Sequence, residues 1–251
     1  MTYCVAMLLD TGLVFLSDSR TNAGIDQIST FRKTYTFQKL GERVLVLQSA
    51  GNLAITQTTV SVLRDAIDAG TQPNLLTVPT VFEAARCVGD ALREVHRRDA
   101  GPLREFGVDF NASLTIGGQI KGEAPRLFSI YSAGNFIEAT SDTSYFQIGE
   151  SKYGKPIIDR VLRRTSSLNE AVKCALVSMD STIRSNLSVG LPLDLVIVRR
   201  DRFGVARHMS IDSDNEYFRG IRSRWSEALR EAFSQLPEPD WLSANVRDMG
   251  D

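Results

Sequence analysis

The sequence predicts an α+β protein, a four-layer αββα sandwich in which two antiparallel β-sheets lie between helical layers. Two observations predict it. Strand-like segments come in blocks joined by tight turns, and helix-like segments come in pairs between those blocks. A doubly wound parallel sheet would alternate single strands with single helices. A chain of 251 residues, 43% of them apolar, is long enough to bury a core of this kind.

Two hairpins open the chain. Their four strands are predicted at 2–9, 13–18, 33–38 and 43–49. The first pair is joined by Asp-Thr-Gly and the second by Gly-Glu, which are residues typical of tight turns. A polar loop over 19–32 is expected to separate the two hairpins.

Helical spacing of apolar residues begins after the second hairpin. It covers 53–67 and, after a loop marked by prolines, 81–95, which predicts two helices. A block of antiparallel strands follows, predicted at 112–116, 126–131, 136–139 and 145–148. We interpret the pair Gly117 and Gly118 as the turn that ends the first of these strands.

A second helix pair and a last hairpin complete the pattern. Apolar stripes predict helices over 155–164 and 168–185, and alternation predicts strands over 195–198 and 205–211.

The end of the chain has a different character. Trp225, Leu229 and Phe233 recur at helical spacing, and two prolines follow soon afterwards, which predicts one appended helix and then a loosely ordered tail. We therefore divide the chain into a domain over 1–211 and a C-terminal extension over 212–251.

Composition argues against several classes of function. The 29 basic and 30 acidic residues leave a formal charge of −1 without a block of like charges, so we expect no nucleic-acid partner. No apolar stretch has the length of a membrane span and no signal-peptide pattern is present, so we expect no membrane association. The odd number of widely spaced cysteines indicates neither a disulfide framework nor a thiolate metal cluster, and it favours the cytoplasm.

Metal and nucleotide chemistry also lack support in the sequence. His96 and His208 are the only histidines, too few for a multi-histidine metal site. We interpret His96 as the end of a helix and His208 as a surface or packing residue of the last strand. The glycines match no phosphate-binding fingerprint, so we expect no cofactor and no metal.

Thr2 carries the candidate chemistry. Aminopeptidases remove an initiator methionine when the second residue is small, so we expect Thr2 to become the terminus of the chain. Its α-amine, with a pKa of about 8, could then accept the proton of its own hydroxyl group. One residue would supply both nucleophile and base. Many unrelated chains begin with Met-Thr, so the position alone is weak evidence.

Four motifs strengthen the case for Thr2, because they resemble motifs of a known family. The segment 12–21, with sequence GLVFLSDSRT, resembles the strand-to-loop motif of proteasome β subunits, and Lys33 follows where that family has its lysine. The run 49–52, Ser-Ala-Gly-Asn, stands between a predicted strand and a predicted helix. Gly-Glu-Ser at 149–151 stands where the family usually has Gly-Ser-Gly, and the whole resemblance covers 2–211. The chain is also similar to the Anbu family of bacterial proteasome-like subunits in its opening residues and C-terminal extension.

The resemblance implies an N-terminal nucleophile hydrolase. Thr2 would attack a carbonyl group, Lys33 would assist by its charge, and Asp18 would hold Lys33. The amide of Gly51 would donate to the oxyanion. Ser151 is a candidate for the role of the family's serine, because Glu150 occupies that serine's place.

Substrate and partners are also implied by the resemblance. Thr21, Asn22 and Asn52 would line an extended peptide or protein substrate that pairs with a sheet edge. The helical faces would support self-association into a ring or an open ring of identical subunits. An ATPase partner is left open.

Because the chain departs from the family pattern, three hypotheses about its function stay open. Besides Glu150, the family's later aspartate falls near Asn186 or Ser188 here. The chain could be a threonine-dependent peptide hydrolase, a peptide-binding ring scaffold with little turnover, or a small-molecule amidase.

Overall fold

Twelve strands and five helices form in the part of the chain that the computed structural model describes, residues 2–22 and 28–239. The strands are β1 (Tyr3–Leu9), β2 (Gly12–Asp18), β3 (Arg20–Asn22), β4 (Ile28–Thr30), β5 (Thr34–Lys39), β6 (Arg43–Gly51), β7 (Ala112–Ile120), β8 (Arg126–Ile130), β9 (Phe136–Glu138), β10 (Tyr145–Gly149), β11 (Leu193–Arg199) and β12 (Val205–Ile211). The helices are α1 (Leu53–Asp68), α2 (Val81–Glu105), α3 (Lys155–Val161), α4 (Leu168–Ser185) and α5 (Glu216–Ser234).

The strands form two antiparallel sheets of five strands each. The first has the order β10-β1-β2-β11-β12 and the second the order β5-β6-β7-β8-β9. Strands β3 and β4 make a separate two-stranded sheet inside the segment predicted as a loop.

Three apolar layers hold the sheets and helices together. Alternate residues of β1 show how, since Val5 and Met7 pack with α3 and α4, whereas Ala6 and Leu8 pack between the two sheets. A third layer lies between the second sheet and helices α1 and α2. The predicted αββα sandwich is confirmed, and strands buried on both faces explain why the hydrophobic runs in the sequence are so continuous.

Two details of the sequence interpretation are wrong. Gly117 and Gly118 lie inside β7 and make no turn. A Cβ on Gly118 would lie 2.0 Å from the carbonyl oxygen of Val44, so glycine is needed here for close pairing of strands. His96 does not end its helix, because α2 continues to Glu105, and the His96 ring packs edge-on against Phe110 at 4.7 Å.

The predicted appended helix is confirmed as α5. It packs on α4 through the buried ring of Phe218 and through Asp180, whose Oδ1 accepts a hydrogen bond from Arg222 Nε at 2.7 Å. The division of the chain at residue 211 stays a prediction. Within the described ranges, no helix is both long and apolar enough to cross a membrane.

Replacing Gly118 by alanine should lower the free energy of unfolding by about 2–3 kcal/mol, because the added methyl group has no room beside Val44. Gly101→Ala is the matched control, since no heavy atom lies within 4 Å of its added methyl group. That change should be neutral or stabilising by up to about 1 kcal/mol. Urea unfolding measures both, and equal midpoints for wild type and G118A would contradict the account.

Candidate active site

A cleft of about 460 Å³ opens where strands of both sheets end next to the start of α1. Thr2 precedes β1, Lys33 precedes β5 and Gly51 ends β6, so these three predicted catalytic residues stand at the ends of three different strands. The cleft is lined by Thr2, Lys33, Ser49, Ala50, Gly51, Leu53, Thr56, Asn111, Gly149 and Glu150.

A buried ion pair lies beside this cleft. Lys33 Nζ donates to Asp18 Oδ1 at 2.8 Å and to the carbonyl oxygen of Arg20 at 2.7 Å. The same carboxylate oxygen accepts from the backbone amide of Tyr3 at 3.0 Å. Asp18 is 0% and Lys33 4% exposed. Asp18 therefore links Lys33 to Tyr3, the residue that follows Thr2.

Burial dominates the electrostatics of this pair. It raises the pKa of the Asp18 carboxyl above its ordinary value, against the lowering effects of Lys33 and of the Tyr3 amide. The carboxylate thus depends on its hydrogen-bond donors to remain charged. Removing Lys33 would leave a buried negative charge without its cation.

Tyr3 anchors the start of β1 from the other side. Its hydroxyl group lies 2.5 Å from Ser178 Oγ on α4 and accepts from Gln147 Nε2 of β10 at 2.6 Å. Burial raises the pKa of the phenol, so it stays neutral. The sequence contains no motif that would have revealed this anchor.

Gly51 has a backbone conformation and a close neighbour that leave no room for a side chain. Its φ is +113°, and a Cβ there would lie 2.4 Å from the carbonyl oxygen of Asn111. The amide of Ser49 donates to the Lys33 carbonyl and that of Asn52 donates to the Asn111 carbonyl on the opposite side. Because amide directions alternate along a strand, the Gly51 amide is directed to the Lys33 side, where the cleft lies.

Asn52 has a structural role in the helix that follows. Its side-chain oxygen accepts from the amide of Ala54 at 3.0 Å and forms the N-cap of α1. It is not among the residues that line the cleft, although the sequence placed it at the substrate.

Thr21 and Asn22 lie in β3, where their backbones pair with Ser29 and Ile28. Their side chains and Met1 lie outside what the structure describes.

Glu150, and not Ser151, is the residue that meets the cleft. Glu150 is 7% exposed, and its amide donates to the Thr2 carbonyl at 2.7 Å. Its Oε2 accepts from Asn186 Nδ2 at 3.1 Å. Ser151 lines a neighbouring pocket with Lys155 and other residues. The cleft also contains Asn111, which stands in no recognisable motif.

Comparison with known proteins decides the family. The family described as Proteasome subunit matches residues 2–198. The structure of Anbu (ancestral β-subunit) from Yersinia bercovieri has 58% identity and a TM-score of 0.89, covering 94% of this chain and 98% of that one. The chain belongs to the Anbu family of proteasome subunits.

Other Anbu structures agree. An Anbu (Gly-1) mutant from Hyphomicrobium sp. strain MC1 has 54% identity and a TM-score of 0.89, covering 96% of this chain and 100% of that one. The Anbu complex from Pseudomonas aeruginosa, solved as a helical assembly, has 52% identity and a TM-score of 0.90, covering 94% of this chain and 98% of that one. No match is found among curated proteins.

In this Anbu-family chain, Lys33→Ala should lower the free energy of unfolding by about 3–5 kcal/mol near neutral pH, because Asp18 is left as an unpaired buried charge. The loss should shrink at acidic pH, since the raised pKa of Asp18 lets the carboxyl group take up a proton. Urea unfolding at several pH values measures it.

The double variant D18N/K33M is the control. It keeps an oxygen for the Tyr3 amide and removes both charges, so it should be more stable than K33A by at least about 1 kcal/mol. K33A unfolding at the wild-type midpoint, or a double variant no better than K33A, would refute the buried pair.

Proposed function

We propose that this chain is a threonine-dependent amide hydrolase that acts on peptides, with Thr2 freed by removal of Met1. The observation that carries the proposal is the meeting of Thr2, the Asp18–Lys33 pair and Gly51 at one cleft. Family membership supports it, because proteasome subunits are typically N-terminal nucleophile hydrolases.

The first half of the reaction forms an ester. The Thr2 hydroxyl oxygen attacks the substrate carbonyl carbon while its proton passes to the α-amine of Thr2. The tetrahedral intermediate collapses, the C–N bond breaks, and the leaving amine takes the proton from the α-ammonium group.

The second half releases the product. Water attacks the ester and gives a proton to the α-amine. The ester C–O bond breaks, Thr2 recovers its hydroxyl proton, and the carboxylic acid leaves.

Gly51 and Lys33 stabilise the charges that develop. The Gly51 amide, directed towards the cleft, would donate to the oxyanion, a contact worth about 3–4 kcal/mol in comparable sites. Lys33 places a positive charge at the cleft without freedom to move, since Asp18 holds it at 2.8 Å. That charge favours the neutral form of the amine and the developing alkoxide.

Substrate binding is proposed to follow the same edge. An extended peptide would pair its backbone with Thr21 and Asn22, the strand-addition mode. The cleft wall of Ser49, Leu53 and Thr56 would receive one side chain. Of the three residues predicted at the substrate, Asn52 would be the least available for pairing, because its side-chain oxygen caps α1, its amide donates to the Asn111 carbonyl and its carbonyl accepts from the Thr56 amide.

A second candidate is a peptide-binding scaffold that assembles without efficient turnover. The helical assembly of the Pseudomonas aeruginosa relative favours self-association of this chain as a helical or open-ring homo-oligomer. Glu150 in place of the family's serine favours weak catalysis. The cytoplasm remains our proposal for its location, in line with free thiols at Cys4, Cys87 and Cys174.

Variants at Thr2 separate the two candidates. Thr2→Ala keeps a small second residue but removes the hydroxyl group, so hydrolysis of a fluorogenic peptide amide should fall by at least about 1,000-fold. Thr2→Ser keeps the hydroxyl group and should retain measurable turnover. Thr11→Ala, at the exposed tip of the first hairpin, is the control and should behave like wild type. Turnover by T2A at the wild-type rate would refute the hydrolase.

A further inference from the structure

Glu150 is a buried acidic residue whose charge the proposed mechanism does not use. Its position next to Thr2 follows from the β1–β10 ladder, in which Tyr3 pairs with Gly149 and Cys4 with Ile148. Thr2 and Glu150 occupy the next step, where the Glu150 amide donates to the Thr2 carbonyl at 2.7 Å.

Thr2 and Glu150 face the same cleft. Directly opposed residues of an antiparallel pair project to the same face, with Cβ atoms about 5 Å apart. Thr2 and Glu150 both line the cleft, as that rule expects. The backbones of Thr2 and Gly149 approach so closely that a Cβ on Gly149 would lie 2.0 Å from the Thr2 carbonyl oxygen.

Within the described ranges, charged side chains approach Thr2 from two directions. From β2 and β5, Asp18 and Lys33 compensate each other at 2.8 Å. From the end of β10, the Glu150 carboxylate has a neutral donor in Asn186 and a cation in Lys152 that lies 3.9 Å away and is 71% exposed. A carboxylate buried to this degree is stabilised by a cation within the site.

We propose that Glu150 is a positioning residue whose carboxylate binds the α-ammonium group of Thr2, with Asn186 fixing the carboxylate. The inference rests on the proposed function, because it requires Thr2 as the terminal residue. The carboxylate stabilises the ammonium group that forms when the amine takes the hydroxyl proton. The same attraction keeps the resting amine protonated to a higher pH.

Glu150 and Asn186, the two departures from the family pattern, are then parts of a single exchange. The family has a hydroxyl group at the place of Glu150 and a carboxylate near the place of Asn186. Here the carboxylate stands on β10 and the amide at the end of α4, and the two are hydrogen-bonded. One negative charge is kept beside the amine, and a repelling pair of carboxylates is avoided.

The test measures the amine directly, without turnover. Full-length protein whose intact mass shows Thr2 as the first residue is labelled with an amine-acylating reagent at a series of pH values. Labelling of the N-terminal peptide is followed by mass spectrometry. In Glu150→Gln the labelling midpoint should fall by about one pH unit, because the opposite charge is gone.

The double variant E150Q/N186D should restore the midpoint, since it returns a carboxylate from the other side. Lys152→Ala is the control and should move the midpoint by less than about 0.3 units, because an exposed charge is screened. Equal midpoints in wild type, E150Q and E150Q/N186D would overturn the inference. A shift with rescue would support it even if no variant hydrolysed peptides, an outcome that would sink only the hydrolase proposal.

Discussion

The buried ion pair between Asp18 and Lys33 is the interaction on which the rest of the site depends. It joins the end of β2 in one sheet to the start of β5 in the other. A carboxylate at 0% exposure is stable only with its donors in place, so the pair fixes the spacing of the two sheets at the cleft. The Tyr3 amide uses the same oxygen, which ties the position of Thr2 to that of the cation.

Much of the fold could be predicted because its signals are local. Hairpins and helix pairs in alternating blocks indicate stacked antiparallel sheets covered by helices, and the structure confirms this. The turn predicted at Gly117 and Gly118 is wrong. A pair of glycines is typical of a turn, but it also occurs in a strand whose backbone lies very close to its neighbour. Only the distance from Gly118 to the Val44 carbonyl in β6 distinguishes them, and that contact is not local.

The site could be predicted where motifs fix it and not where packing does. Asp18 and Lys33 sit at strand ends that the motif places together. The motif left Glu150 and Ser151 as alternatives, and only the ladder partner of Thr2 decides which of them reaches the cleft. The anchor from Tyr3 to α4 spans 175 positions of sequence, so no local pattern could indicate it.

The most direct test of this account is the reaction of the full chain with a peptide that carries an electrophilic carbonyl group. Intact mass and fragmentation then locate any covalent adduct. The account predicts one adduct per chain, on Thr2 of a chain that has lost Met1, and a much slower reaction in D18N/K33M because the fixed cation is gone. Retention of Met1, an adduct elsewhere, or equal rates in the two proteins would contradict it.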